Sequence, residues 1–198
     1  NRNHQVIEDG ITKGELDIIV ESARGREHWE IALKFYLRTE DSADHACFLG
    51  PSRKDFLARK MEKLHQHQIP LGQHPQVQAE FGPLHSGIFL KGQLFYRHPC
   101  SPLVQNALGE KRLYHFPLTQ LAKILDPNGH YQILKKPAWI GPYHPEPSED
   151  VYTGQGLLLA IAQEFERIDR PQLIVRLSEG PRGLVEKDRF FACPDQWP

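Results

Sequence analysis

Two alternating runs, at residues 15–20 and 28–37, do most to limit what this chain can fold into. In the second run the odd positions Trp29, Ile31, Leu33, Phe35 and Leu37 are large and apolar, and the even positions are His28, Glu30, Ala32, Lys34 and Tyr36. Such strict alternation reads as a half-buried strand. In the first run Leu16, Ile18 and Val20 are the apolar set, with Glu15 and Asp17 on the other side. The connection at 22–27 is polar and contains Gly25, as a hairpin loop does. With Arg24 and Gly25 as the two-residue turn, Ala23 pairs with Arg26, Asp17 falls opposite Ala32 and Glu15 opposite Lys34. The acidic sides of both strands then share one face.

That register makes Glu30 and Lys34 the diagonal neighbours of Asp17, within roughly 7–8 Å. Two carboxylates so close suit a hard divalent cation, Mg²⁺ or Mn²⁺, held by oxygen with waters completing the shell. A neighbouring ammonium would orient the attacking water or offset charge on a phosphate. His28 shares the acidic face, either touching this site or serving as a hydrogen-bonded strand histidine. The plainer alternative pairs Lys34 with Glu15 across the strands and leaves Asp17 and Glu30 on a solvated face, where such pairs contribute ~0–1 kcal/mol.

The run Gly14-Glu15-Leu16-Asp17, followed by Trp29-Glu30-Ile31-Ala32-Leu33-Lys34, resembles the core of the PD-(D/E)XK nuclease superfamily. The wider chain is similar to a bacterial domain-of-unknown-function family, number eighteen-fifty-three. The segments that match are 14–20, 28–37, 48–71, 89–97, 139–142 and 190–198. The superfamily likeness implies a restriction-endonuclease-like mixed sheet and a metal-dependent, nuclease-like hydrolase. Asp17 and Glu30 would then be metal ligands, Lys34 the lysine, and Glu15 an outer carboxylate. One position departs from the pattern: Ala32 stands where the superfamily places its lysine, two residues after the glutamate. Lys34 lies two further on, on the same face of a strand, so the likeness fits either a shifted lysine or a fold that has lost catalysis.

The order of elements supports the same α/β architecture. A strand at 5–8 precedes the hairpin. A helix at 52–66 follows, with Ser52 as N-cap, Asp55 three residues on, Leu57, Met61 and Leu64 on its packing side, and Pro70 ending it. Residues 87–97 read as a fourth strand, so the crossover implies a parallel or mixed sheet. Residues 1–99 are expected to form the nuclease-like core, less the superfamily's first helix, and Asn1 in place of an initiator methionine suggests a segment ahead of it. Residues 100–198 form a C-terminal α+β extension, with a weak boundary at 100–109. Its expected elements are a helix at 118–125, a turn at 126–129, a strand at 131–134, a helix at 156–168 and a strand at 172–177. Tyr114, Phe116, Tyr131 and Trp139 are read there as core residues.

Charge narrows the range of partners. Lys and Arg total 24 against 25 Asp and Glu, so the broad basic footprint of a strong non-specific nucleic-acid binder is missing. Nucleic acid must therefore be met locally. The best candidate is the helix carrying Arg53, Lys54, Arg59, Lys60 and Lys63, although a charged helix is commonly just a solvated face. Cys47, Cys100 and Cys193 are an odd number without paired spacing, which fits a reducing cytoplasm. No apolar run approaches the ~20 residues of a membrane span, and the histidines lack paired zinc spacing. Two functions are thus expected: a metal-dependent nuclease-like phosphodiesterase, or a catalytically degenerate module of that fold binding nucleic acid or a protein partner.

Overall fold

The computed structural model describes residues 1–40, 42, 44–97, 113–146 and 149–198. It is a mixed α/β protein, with nine strands in parallel and antiparallel pairings and, residues 57–71 being continuous, four α-helical stretches among the described residues. The chain divides into two compact units, residues 1–35 with 55–93, and residues 36–54 with 94–198. Strands β3 (Gly25–Arg38) and β5 (His85–Arg97) run through both. The boundary expected at 100–109 lies outside the described residues.

In the first unit, β1 (Arg2–Glu8), β2 (Ile11–Ser22) and β3 form an antiparallel meander. The hairpin is present, but its register differs from the sequence expectation. Ser22 pairs with Gly25, so Ala23 and Arg24 make the turn, and Ile18 pairs with Trp29. Local chemistry explains the shift. The Ser22 hydroxyl accepts from Arg24 N and donates to Glu27 Oε1, anchoring the turn, and Gly25 takes the positive φ of 104° that a side chain would resist. The ladder's registered pairs end at Ile18 and Trp29, because Ile31 N donates to the Asp17 carboxylate at 2.8 Å. Asp17 is therefore not opposite Ala32, nor Glu15 opposite Lys34; Glu15 aligns with Gln5 of β1.

The burial of β3 also corrects the simple reading. Its polar, even-numbered side is the inner one: His28 and Glu30 are fully buried, and Ala32 and Tyr36 nearly so. On the odd side Ile31 and Leu33 remain exposed, as does Phe89 of β5. What covers the even side is a helical stretch, α1 (Leu57–Lys63), passing through a π-helical turn (Leu64–Gln68) into α2 (Ile69–Leu71). Helix α1 starts later than expected, with Phe56 rather than Ser52 in the N-cap position. Pro70 does not stop it but sits in the first turn of α2, directly after the π turn. A further helix, α3 (Pro75–Phe81), follows. Val6, Leu16, Ile19, Val77 and Leu84 make this unit's apolar core, with Leu71 and Phe81 against it. Gly92 lets β5 approach β3, since a Cβ there would overlap the Lys34 carbonyl oxygen.

In the second unit, β4 (Phe48–Leu49) pairs with the end of β3, and the end of β5 runs parallel to β6 (Leu113–Pro117). β6 pairs in parallel with β9 (Gly183–Cys193), β9 pairs antiparallel with β8 (Gln172–Gly180), and β8 pairs antiparallel with β7 (His130–Leu134). Helices α4 (Leu118–Ile124) and α5 (Gly154–Phe165) close near their expected places, α5 capped by the Thr153 hydroxyl accepting from Gly156 N. The core joins Phe116, Leu121, Tyr131, Leu157, Ile161, Ile174 and Phe190, while Tyr114 is only partly buried.

Candidate functional site

The residues singled out in the hairpin converge, but in a different constellation. Glu30 has no exposed surface, and both its oxygens are engaged. His28 Nε2 lies 2.8 Å from Oε1, the arrangement of an imidazole N–H donating to a carboxylate, and Gln68 Nε2 donates to Oε2. The chain of bonds continues in both directions. His28 Nδ1 is 3.1 Å from Ser86 Oγ, and Lys60 Nζ donates to Gln68 Oε1 at 3.1 Å. Ser86, His28, Glu30, Gln68 and Lys60 thus form one polar line from β5 across β3 to α1. Buried polar groups need such partners, because an unmade bond costs about 1–3 kcal/mol.

Local structure explains how Gln68 gets there. Lys60, Leu64 and Gln68 are spaced at i, i+4 and i+8, and Leu64 is fully buried, so all three belong to the stripe facing the sheet. The π turn closes with Ile69 N donating to Leu64 O; such widened turns recur at functional sites. Gly72 completes the fit. A Cβ at that position would run into Ser86 Oγ and crowd His28 Nδ1 at 3.2 Å.

Lys34 and Asp17 stand differently. Lys34 Nζ pairs with Asp55 Oδ2 at 2.5 Å, each side chain about a third exposed at 35% and 30%. The cross-strand pair with Glu15 is therefore not formed by Lys34, and Asp55, expected in a capping box, is its partner instead. Asp17 is half-buried and devotes one oxygen to Ile31 N. Lys60 is where these charges meet. Burial lowers its affinity for a proton, Lys34 and Lys63 push the same way, and Glu30 and Asp17 oppose them. Of the other basic residues of the segment, Arg53 lies outside the helix, bonded to Asp169 at 2.7 Å, while Arg59 and Lys63 are exposed on α1.

As a magnesium site the carboxylate pair does not fit in this arrangement. Glu30 offers no exposed oxygen, one Asp17 oxygen is committed to the backbone, and hydrated Mg²⁺ needs room for its waters. Among the described residues no group of three or more His, Cys, Asp or Glu side chains is placed to hold a metal ion.

The profile of one protein family, described as "Domain of unknown function (DUF1853)", matches residues 1–193. The chain belongs to the DUF1853 family. No curated protein and no solved structure matches it. Within this DUF1853 chain, sequence reasoning missed Gln68 and Ser86 as partners of Glu30 and His28; the spacing of Lys60, Leu64 and Gln68 was the available signal for the first, and nothing local marked the second. It also missed a buried Cys193–His115 pair in the second unit, with Sγ 3.7 Å from Nδ1. Burial pushes that thiol's pKa up and the imidazole's down to about 4, so both stay neutral and the pair is not an activated nucleophile. No helix among the described residues is long and apolar enough to cross a membrane.

Proposed function

We propose that this chain is a catalytically degenerate module of the nuclease fold that binds nucleic acid. The observation behind it is the gathering of Lys34, Lys60 and Lys63, close enough that the first and third depress the proton affinity of the second, in a chain of net charge −1. Desolvating an amine among like charges is costly for folding, and an arriving phosphate would offset that cost. The degenerate reading is supported by Ala32 at the superfamily's lysine position and by the capping of Glu30 from both sides.

The test is fluorescence anisotropy with single- and double-stranded DNA and RNA oligonucleotides, on the intact protein and on the Arg59→Glu/Lys63→Glu variant, with Mg²⁺ or Mn²⁺ present and cleavage followed in the same samples. Binding that the charge reversal weakens tenfold or more, without cleavage, is the expected result. Metal-dependent cleavage lost in Glu30→Gln, with metal binding lost by calorimetry, would instead establish the phosphodiesterase. A folded protein that binds none of the oligonucleotides would remove nucleic acid as the partner.

A further inference from the structure

The superfamily likeness points to Lys34, the lysine on the strand, as the amine of this site, but the geometry points elsewhere. Lys34 is paired with Asp55 in an ion pair that answers its charge locally. Lys60, half-buried on the helix, feels the charges of Glu30 and Asp17, and among the described residues its hydrogen-bond acceptor is the neutral Gln68 amide. An amine resting on a neutral amide has no carboxylate bonded to it and is open to an anion. A lysine in a 2.5 Å carboxylate pair is not.

Gln68 is what holds that amine in place. Its Nε2 is committed to Glu30, a fully buried group on a sheet strand, and this fixes the direction of its Oε1. The fork of the amide thus transfers the rigidity of the sheet to the tip of a long, flexible side chain. We propose that Lys60 is the residue that contacts a nucleic-acid phosphate at this site, that Gln68 positions it, and that Lys34 has no such contact. This rests on the nucleic-acid reading above and deepens it by naming the contact.

The experiment compares the intact protein with Lys60→Met, Lys60→Arg, Lys34→Met and Gln68→Met, using the oligonucleotide bound most tightly, over a series of salt concentrations. Lys60→Met is expected to weaken binding about tenfold and to make the dependence of log affinity on log salt shallower by about 0.7–0.9, the signature of one lost phosphate contact. Lys60→Arg restores both, because the charge returns. Gln68→Met, which removes the amide fork but leaves the charge, costs several-fold in affinity with the salt slope little changed. Lys34→Met stays within about twofold by the same charge argument. A Lys60→Met protein that binds as the parent does, a Lys60→Arg protein no better than Lys60→Met, or an equal loss in Lys34→Met would each overturn the proposal while leaving the nucleic-acid reading standing. A parent protein that binds no oligonucleotide would overturn both. Should Lys60→Met fail to fold by circular dichroism, Lys60→Gln, which keeps a donor for Gln68 and removes the charge, decides in its place.

Discussion

The two units each bury a histidine in a strand, and they treat it in opposite ways. His28 in β3 lies in a line of side chains that includes the carboxylate of Glu30 and ends at the amine of Lys60. His115 in β6 gives Nε2 to the Arg38 carbonyl at 2.7 Å and faces the Cys193 thiol, with the Trp197 ring against it. The first line carries ionisable groups out to a half-buried edge, while the hydrogen-bonding partners of the second are neutral and enclosed. Buried polarity alone therefore does not mark a site. What distinguishes the first is that its chain of partners leads to charges that solvent and ligands can reach.

Removing the carboxylate tests the contrast most severely. Glu30→Ala strands the fully buried His28 N–H and the partly buried Gln68 amide, and an expected loss of about 3–5 kcal/mol follows, read from urea unfolding. Glu30→Gln should lose much less, since it still accepts a bond. A loss under about 1 kcal/mol for Glu30→Ala would mean the line is slack and water reaches it.

Acid should act on the other histidine. His115 titrates near 4 in the folded protein against about 6.5 unfolded, so between these values the unfolded chain holds more protons and stability falls as pH falls. The group contributes fully above pH 6.5, and about 2 kcal/mol of that contribution is expected to be gone by pH 5. Comparing urea midpoints at pH 7 and 5 for the parent and His115→Gln checks this; an unchanged slope in the variant would assign the acid sensitivity elsewhere.

A glycine probes the fit between helix and sheet. Gly72 has helical φ and ψ, so alanine there would ordinarily help by up to ~1 kcal/mol. Its Cβ, however, would displace Ser86 from His28, and overpacking of this kind costs about 1–3 kcal/mol, leaving a net loss of about 1 kcal/mol expected from thermal unfolding. The smallest effect belongs to Lys34→Met, at most about 1 kcal/mol, because its pair with Asp55 is partly solvated. A larger loss would show that Lys34 belongs to the buried line after all.

Much of the fold was legible. Period-two alternation located β2 and β3, helical spacing located α1, α4 and α5, and apolar runs located β5, β7 and β8, because these patterns report a local periodicity that the backbone imposes. Strands β6 and β9 were not read, because each is identified by the strands it pairs with, Tyr114 with Phe190 and His115 with Phe191, far apart along the chain. The expected hairpin register failed for a local reason: Ser22 can anchor the turn one residue earlier than the glycine suggested, and a shift of one residue in the turn's place moves every cross-strand partner.

The sequence by itself determined that this is an α/β chain with acid and amine alternating on a hairpin, because side-chain period and composition are properties of consecutive residues. Only the tertiary structure decided which side of that hairpin is inside. A helix lies over the polar side of β3, so Glu30 is a sealed acceptor instead of a solvated one, Lys34 pairs with Asp55, and Lys60 with Gln68 takes the place beside the carboxylates. Burial is set by what packs from elsewhere in the chain, and packing partners so remote leave no trace in the alternation of a strand.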